Sequence, residues 1–227
     1  TDLRTDGTFS MRGHSVGGYG SVTTNKIIAT IVADLFDMYV QAYPKYGSEK
    51  KGLPTTYYLT VSPEPVKTHN ELEFVEFVPL NDVNSFNLAN PLKGLQPGGM
   101  LFVQSPKTKS SDIWSDFPKW AQKIIREKKI KVLALDTVKI AKEVSSKADL
   151  IQRMQGIVLL GIFLKATPFM ERSKISEDEL MAGVEKSLRK YFGKRGEQVV
   201  QDNLKAVQRG FNEVFEVKLE DIKEVLV

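Results

Sequence analysis

The spacing of apolar and polar positions changes character once along this chain. Up to residue 136, short apolar runs alternate with glycine and proline. Thr8-Phe9-Ser10-Met11 is short and strand-like, and the stretch 26–36 reads as a helix. A strand is predicted over 39–43 and stopped by Pro44. Another covers 55–61, where β-branched and aromatic residues dominate. A third covers 74–78, closed by Pro79. Pro97-Gly98-Gly99 reads as a turn before a buried strand over 100–104. An amphipathic helix from about 117 to 128 leads to a strand over 131–135. Strands that alternate with helices predict an α/β fold, a three-layer sandwich with a largely parallel sheet and a helical C-terminal part.

Past Asp136 the pattern is helical. Helices are predicted over 138–144 and 149–165, then from Ser176 to about Phe192. Ser176 and Glu179 have the spacing of a capping box at the start of that third helix. Gly193-Lys194-Arg195-Gly196 breaks the run, and a last helix covers about 197–214. No long linker or repeat divides the chain. The expected organisation is a single domain over 1–227, sheet-rich in 1–136 and helical in 137–227. The apolar run 156–164 falls short of the roughly 20 residues a membrane span needs. It reads as a buried helix. Phe163, Phe169 and Met170 suggest a subunit interface near its carboxyl end.

Between the first strand and the first helix lies Gly13-His14-Ser15-Val16-Gly17-Gly18-Tyr19-Gly20-Ser21-Val22-Thr23-Thr24-Asn25-Lys26. A glycine loop that feeds a helix start gathers backbone N–H donors at the positive end of the helix dipole. The order of a phosphate-binding P-loop is missing, because Lys26 follows Asn25 rather than glycine. Three readings stay open from spacing alone: a structural turn, a site for a phosphate-bearing ligand, and a contact with a partner chain.

Composition narrows the chemistry. The 227 residues carry 32 basic and 28 acidic side chains, a net charge of +4. Charge so well mixed does not describe a nucleic-acid surface. There is no cysteine, so the chain holds no disulfide, thiolate nucleophile or cysteine-ligated cluster. That fits a cytoplasmic protein, and no signal-peptide pattern opens the chain. His14 lacks a carboxylate neighbour in sequence and His69 follows a proline-marked turn, and both read as histidines without a chemical role, His14 as one in a loop. Trp114 and Trp120 read as packing residues at a helix start, and the basic positions 123–131 as a solvated helix face. Lys45, Lys50 and Lys51 surround Tyr46-Gly47-Ser48-Glu49. This is a solvated loop, or an anion clamp if it lies beside the glycine loop at the ligand-binding edge of the sheet.

Two segments carry a family resemblance. They are Gly20-Ser21-Val22-Thr23-Thr24-Asn25-Lys26 and Tyr39-Val40-Gln41-Ala42-Tyr43-Pro44-Lys45-Tyr46-Gly47-Ser48-Glu49-Lys50-Lys51-Gly52. They resemble the gamma subunit of 2-oxoacid:ferredoxin oxidoreductases, with the pyruvate enzymes nearest. The likeness continues through Leu95-Gln96-Pro97-Gly98-Gly99, Asp136-Thr137-Val138-Lys139, Met154-Gln155 and Tyr191-Phe192-Gly193-Lys194-Arg195-Gly196-Glu197, and ends at Asn203. It spans nearly the whole chain in order.

The resemblance implies an enzyme complex whose other chains hold thiamine pyrophosphate with Mg2+ and [4Fe-4S] clusters, and which passes electrons to ferredoxin. It implies no nucleic-acid or membrane partner, no catalytic residue and no metal ligand in this chain. It implies that the isolated chain is inactive. Through the lysine loop it implies coenzyme A contact by Lys50 and Lys51, with Gly20, Ser21 and Asn25 beside them. The family often follows its lysines with paired glycines and a threonine, whereas here Gly52 is followed by Leu53 and Pro54 before Thr55. Leu53 adds a side chain and Pro54 removes an N–H. That departure points toward relatives that act without coenzyme A, such as oxalate oxidoreductase. A free-standing nucleotide-binding module and a purely structural scaffold subunit are the alternatives.

Overall fold

A computed structural model describes residues 1–16, 21–45, 54–67 and 71–222. In chain order the main elements are β1 (Phe9–Val16), α1 (Ser21–Phe36), β2 (Tyr39–Pro44), β3 (Pro54–Ser62), β4 (Val75–Leu80), α2 (Ser85–Leu88) and β5 (Leu95–Gln104). Then follow α3 (Ser110–Ser115), α4 (Lys119–Glu127), β6 (Lys131–Leu135), α5 (Thr137–Val144), α6 (Ile151–Ala166), α7 (Phe169–Ser173), α8 (Glu177–Phe192), α9 (Glu197–Glu213) and β7 (Phe215–Glu216). The strands form one sheet in the order β2-β3-β1-β4-β5-β6-β7. β1, β4, β5 and β6 pair in parallel, while β3 and β7 run against their neighbours. Helices cover both sides, so the three-layer α/β expectation holds.

Each face of the sheet has its own core. On one face Met11, Leu59, Phe77 and Phe102 pack with Ile28 and Ile31 of α1, Ile140 of α5 and the buried length of α6. On the other, Val78, Leu80, Leu101, Val103 and Val132 pack with Ile113 and Trp114 of α3 and Ile125 of α4. Strands covered on both sides read as unbroken apolar runs, as 131–135 does. α6 is buried from Met154 to Leu164. It crosses α9 closely at Gly161 and Gly210. A Cβ on Gly161 would stand 2.0 Å from the Val207 carbonyl oxygen, and one on Gly210 2.2 Å from that of Val158.

Several expectations need correction. Pro97-Gly98-Gly99 is no turn between elements but part of β5. Val75 pairs with Leu95 and Phe77 with Met100, so 96–99 bow out as a bulge. Gly98 takes φ +74° there and donates its N–H to the Lys128 carbonyl at 2.8 Å. Pro79 does not close β4, because Leu80 still pairs with Val103 and His14. The helix expected over about 117–128 is α4, which begins after the extended Pro118, and the separate short helix α3 ahead of it was not expected. The aromatic residues taken to mark an interface are used internally. Phe169 meets Phe9 at 5.4 Å and Phe163 at 6.1 Å, and all three are buried. Ser176 and Glu179 do form the capping box, with both reciprocal hydrogen bonds.

Candidate functional site

Connections leave the parallel strands on opposite sides. After β1 the chain enters α1 on one face, and after β4 and β5 it enters α2, α3 and α4 on the other. The order of the connections therefore reverses between β1 and β4. In open α/β sheets the crevice at the carboxyl ends of two such strands is the usual ligand site. The His14 carbonyl accepts the Asn81 N–H at 3.0 Å, which clamps the two strand ends together. The glycine loop leaves from the β1 side of this crevice.

The strand register brings the second loop to the same place. β1 and β3 are antiparallel, with Val16 opposite Pro54. Val16 is the last residue before the glycine loop, and Pro54 the first residue after the lysine loop. At the other root of that loop, Lys45 donates its N–H to the Thr56 carbonyl at 2.8 Å. The anchors of both loops therefore share one corner of the sheet. The antiparallel pairing of β1 with β3 does this. Gly20, Lys50 and Lys51 themselves lie outside the described residues, as does His69. Ser21 opens α1.

Asn25 faces inward. It is 2% exposed and donates Nδ2 to the Tyr58 carbonyl at 2.7 Å, which pins the start of α1 to β3. Its Oδ1 and the neighbouring Thr24 Oγ1 are buried without a hydrogen-bond partner. Thr24 packs on α6, where Gly156 makes room for it. The helix start is thus positioned from beneath by two residues that do not reach the surface. No acidic residue stands in the first turn of α1, so its positive end is left uncompensated by its own helix.

His14 is not a loop residue. It sits in β1, 6% exposed, and its Nε2 accepts the Arg12 Nε–H at 3.3 Å. Burial first, and the Arg12 charge second, lower its pKa to about 3. With its lone pair occupied, it is no general base, which agrees with a non-chemical role. Arg12 escaped the sequence reading. It is 8% exposed and donates to the carbonyls of Pro91, Lys93 and Leu72. Its signal was a cation at a polar position of an alternating strand. Burial lowers its pKa while Tyr58 and Glu71 raise it. Around it, the Tyr43 and Tyr58 rings pack at a tilt with centroids 5.1 Å apart, and Lys45 meets Glu71 at 2.6 Å.

Two other features lie apart from this corner. At the carboxyl end of β5, Gln104 Oε1 accepts the Thr137 N–H at 2.6 Å, and Gln104 Nε2 donates to Asp136 at 3.0 Å. Asp136 in turn caps α5 through the Lys139 N–H. This accounts locally for the Asp136-Thr137-Val138-Lys139 segment. A cavity of about 490 Å³ lies between the amino-terminal segment and the end of β3, lined by Arg4, Thr60, Glu64 and Glu71 among others. Among the described residues, no cluster of three or more acidic or histidine side chains is placed to hold a metal. No described helix is long and apolar enough to cross a membrane.

The three-layer sheet, with the roots of the two loops side by side at the ends of β1 and β3, defines an α/β domain. Residues 10–213 match the family described as pyruvate ferredoxin/flavodoxin oxidoreductase, and the chain belongs to that family. The pyruvate:ferredoxin oxidoreductase of Moorella thermoacetica is 26% identical over 217 residues, 96% of this chain and 18% of that protein. The chain thus spans less than a fifth of that relative. The common gamma subunit of pyruvate/ketoisovalerate oxidoreductases from Thermococcus litoralis is 27% identical over 167 residues, 74% of this chain and 82% of that one. In structure, the chain resembles pyruvate oxidoreductase subunit PORC of Thermotoga maritima, with a TM-score of 0.65 at 21% identity. The match covers 93% of this chain and 99% of that one.

Proposed function

We propose that this chain is the gamma-type unit of a 2-oxoacid:ferredoxin oxidoreductase, and that the corner where its two loops are rooted, at the ends of β1 and β3, contacts coenzyme A. Residues 1–227 act as one unit in this reading, since β7 from the helical part completes the sheet of the first part. Thiamine pyrophosphate, Mg2+ and the [4Fe-4S] clusters reside on other chains, which also pass electrons to ferredoxin. The isolated chain has no redox activity, for it has no cysteine to ligate a cluster. The family match and the gamma-subunit relative support the class.

One observation carries the site: Val16 pairs with Pro54, so the glycine loop and the lysine loop are rooted side by side. Lys50 and Lys51 would hold the phosphates, with Gly20 and Ser21 adding N–H donors at the start of α1. Asn25 serves that site by fixing the helix start against Tyr58. Coenzyme A supplies the thiol that takes up the acyl group. What this chain adds is charge, position and the shape of the corner.

The test is made in the assembled enzyme. Charge-assisted phosphate contacts contribute about 1.5–3 kcal/mol each. Lys50→Ala with Lys51→Ala raises the apparent constant for coenzyme A at least tenfold and leaves oxoacid saturation almost unchanged. Unchanged coenzyme A saturation in a coenzyme-A-dependent enzyme refutes the assignment. An enzyme that coenzyme A does not stimulate places the chain with the oxalate-type relatives, where Leu53 and Pro54 close the site.

A further inference from the structure

The two edges of the sheet are built differently. At one edge β7 is two residues long, and Lys131 and Glu216 stand across the last pairing at 3.6 Å. Short strands and charges of this kind blunt an edge against other chains. At the other edge stands β2, six residues long, Tyr39-Val40-Gln41-Ala42-Tyr43-Pro44. It has no charged residue, and its register with β3 runs unbroken from Tyr39 to Pro44. Among the described residues, no strand pairs with its outer side.

The direction of its backbone groups follows from one bond. Lys45 donates its N–H to the Thr56 carbonyl of β3. In an antiparallel ladder successive residues alternate sides. Tyr39, Gln41 and Tyr43 therefore turn their N–H and C=O toward β3. Val40 and Ala42 turn theirs outward. Pro44 also faces outward, where its missing N–H breaks no bond to β3, as expected of proline on an edge strand.

We infer that this edge pairs with the same edge of a second copy of the chain, antiparallel, about a two-fold axis through Gln41. That register sets Val40 opposite the second copy's Ala42, and Ala42 opposite its Val40. Both are pairs of outward-facing residues, so both can exchange N–H···O bonds. Tyr39, which is 53% exposed, comes opposite Tyr43 of the second copy. The ends are complementary in charge. Asp37 precedes the strand and Lys45 follows it, both exposed, so the axis brings an acid to a base at each end. Lys45, which also meets Glu71, has three N–H donors to share. A two-fold contact of this kind closes on itself. The inference stands independently of the coenzyme A reading.

This chain has no cysteine of its own, so one introduced thiol is the only one it carries. Opposed residues of a non-hydrogen-bonded antiparallel pair have Cα atoms about 4.5 Å apart, within disulfide range. Gln41→Cys, placed in the full chain within the assembly it purifies with, should cross-link to itself under mild oxidation. The product runs at twice the chain's mass, at least tenfold above that of Leu3→Cys, a fully solvated control. Adding Ala42→Pro should abolish the cross-link and leave circular dichroism and the melting temperature unmoved, because the N–H it removes points away from β3. No cross-link above the control overturns the inference. So does a cross-link to a different chain, or one that survives Ala42→Pro. Unfolding by Ala42→Pro overturns the assignment of outward groups on which the inference rests.

Discussion

Across β4, β5 and β6 both faces of the sheet are apolar, whereas across β1, β3 and β2 only one is. Phe77, Phe102 and Leu133 fill one side of the first half, and Val78, Leu101 and Val132 the other. In the second half Met11, Leu59 and Val61 face the helices. The opposite face carries Ser10, Arg12, His14, Thr60 and Ser62, all buried. The chain's own loops and amino-terminal segment supply their partners, with Arg12 bonded to the carbonyls of Pro91 and Lys93. The lesson is one of division. The parallel half is covered on both faces by its own helices. The half with antiparallel strands holds the two loop roots, the switch point and the β2 edge, with which no strand pairs on its outer side among the described residues.

The largest effect that separates the halves comes from deleting volume in the sealed one. Phe102 is 1% exposed, between layers. Phe102→Ala should cost about 3–5 kcal/mol, the range for a large aromatic removed from a tight core. Urea denaturation of the variant measures it. A loss below 1 kcal/mol would mean that this half is loosely packed, and the contrast would fail.

Acid should act on the other half. An unfolded histidine takes its proton near pH 6.5, and His14 in the fold takes it at about 3. Above pH 6.5 both states are neutral and His14 contributes no pH dependence. Between pH 6.5 and about 3 the unfolded state binds a proton that the fold refuses. Stability then falls as pH falls, by about 1.4 kcal/mol per unit. From pH 7 to 5 the wild type should lose roughly 2 kcal/mol more than His14→Gln. Denaturant midpoints at the two pH values read this directly. Parallel curves would show that His14 is protonated in the fold and that burial is not what governs it.

The same division explains what was legible in the sequence. Lys131 to Leu135 and Ser176 to Phe192 were readable because one rule decides each: an unbroken apolar run for a doubly covered strand, and a cap with helical spacing for α8. Pro97-Gly98-Gly99 misled because a bulge and a turn use the same residues, and only pairing with β4 tells them apart. α2 and β7 are held by neighbours rather than by their own propensity, and so left no mark. Of the site, the two loops were legible by composition. Their adjacency was not, since it depends on the Val16–Pro54 pairing between strands far apart in sequence. Arg12 and His14 were obscured because a buried charge answered by backbone carbonyls has no signature among side chains.

The smallest effects come from exchanging one atom for another of the same shape in each half. Val78 lies in β4 among apolar neighbours, fully buried. Val78→Thr puts a hydroxyl there without a partner and should cost about 1–3 kcal/mol. Thr60 lies opposite Ser10, with the two hydroxyls 3.3 Å apart. Thr60→Val removes that single hydrogen bond and keeps the volume, so about 1 kcal/mol or less should be lost. The two substitutions are opposite moves: one adds a hydroxyl to an apolar face, the other removes one from a polar face. A loss at Thr60→Val as large as that at Val78→Thr would mean that the Ser10–Thr60 hydrogen bond holds β1 to β3 far more strongly than a single hydroxyl pair should. No loss at all would mean that Ser10, Thr60 and Ser62 are spacing residues, and the polar half would owe its character to Arg12 and His14 alone.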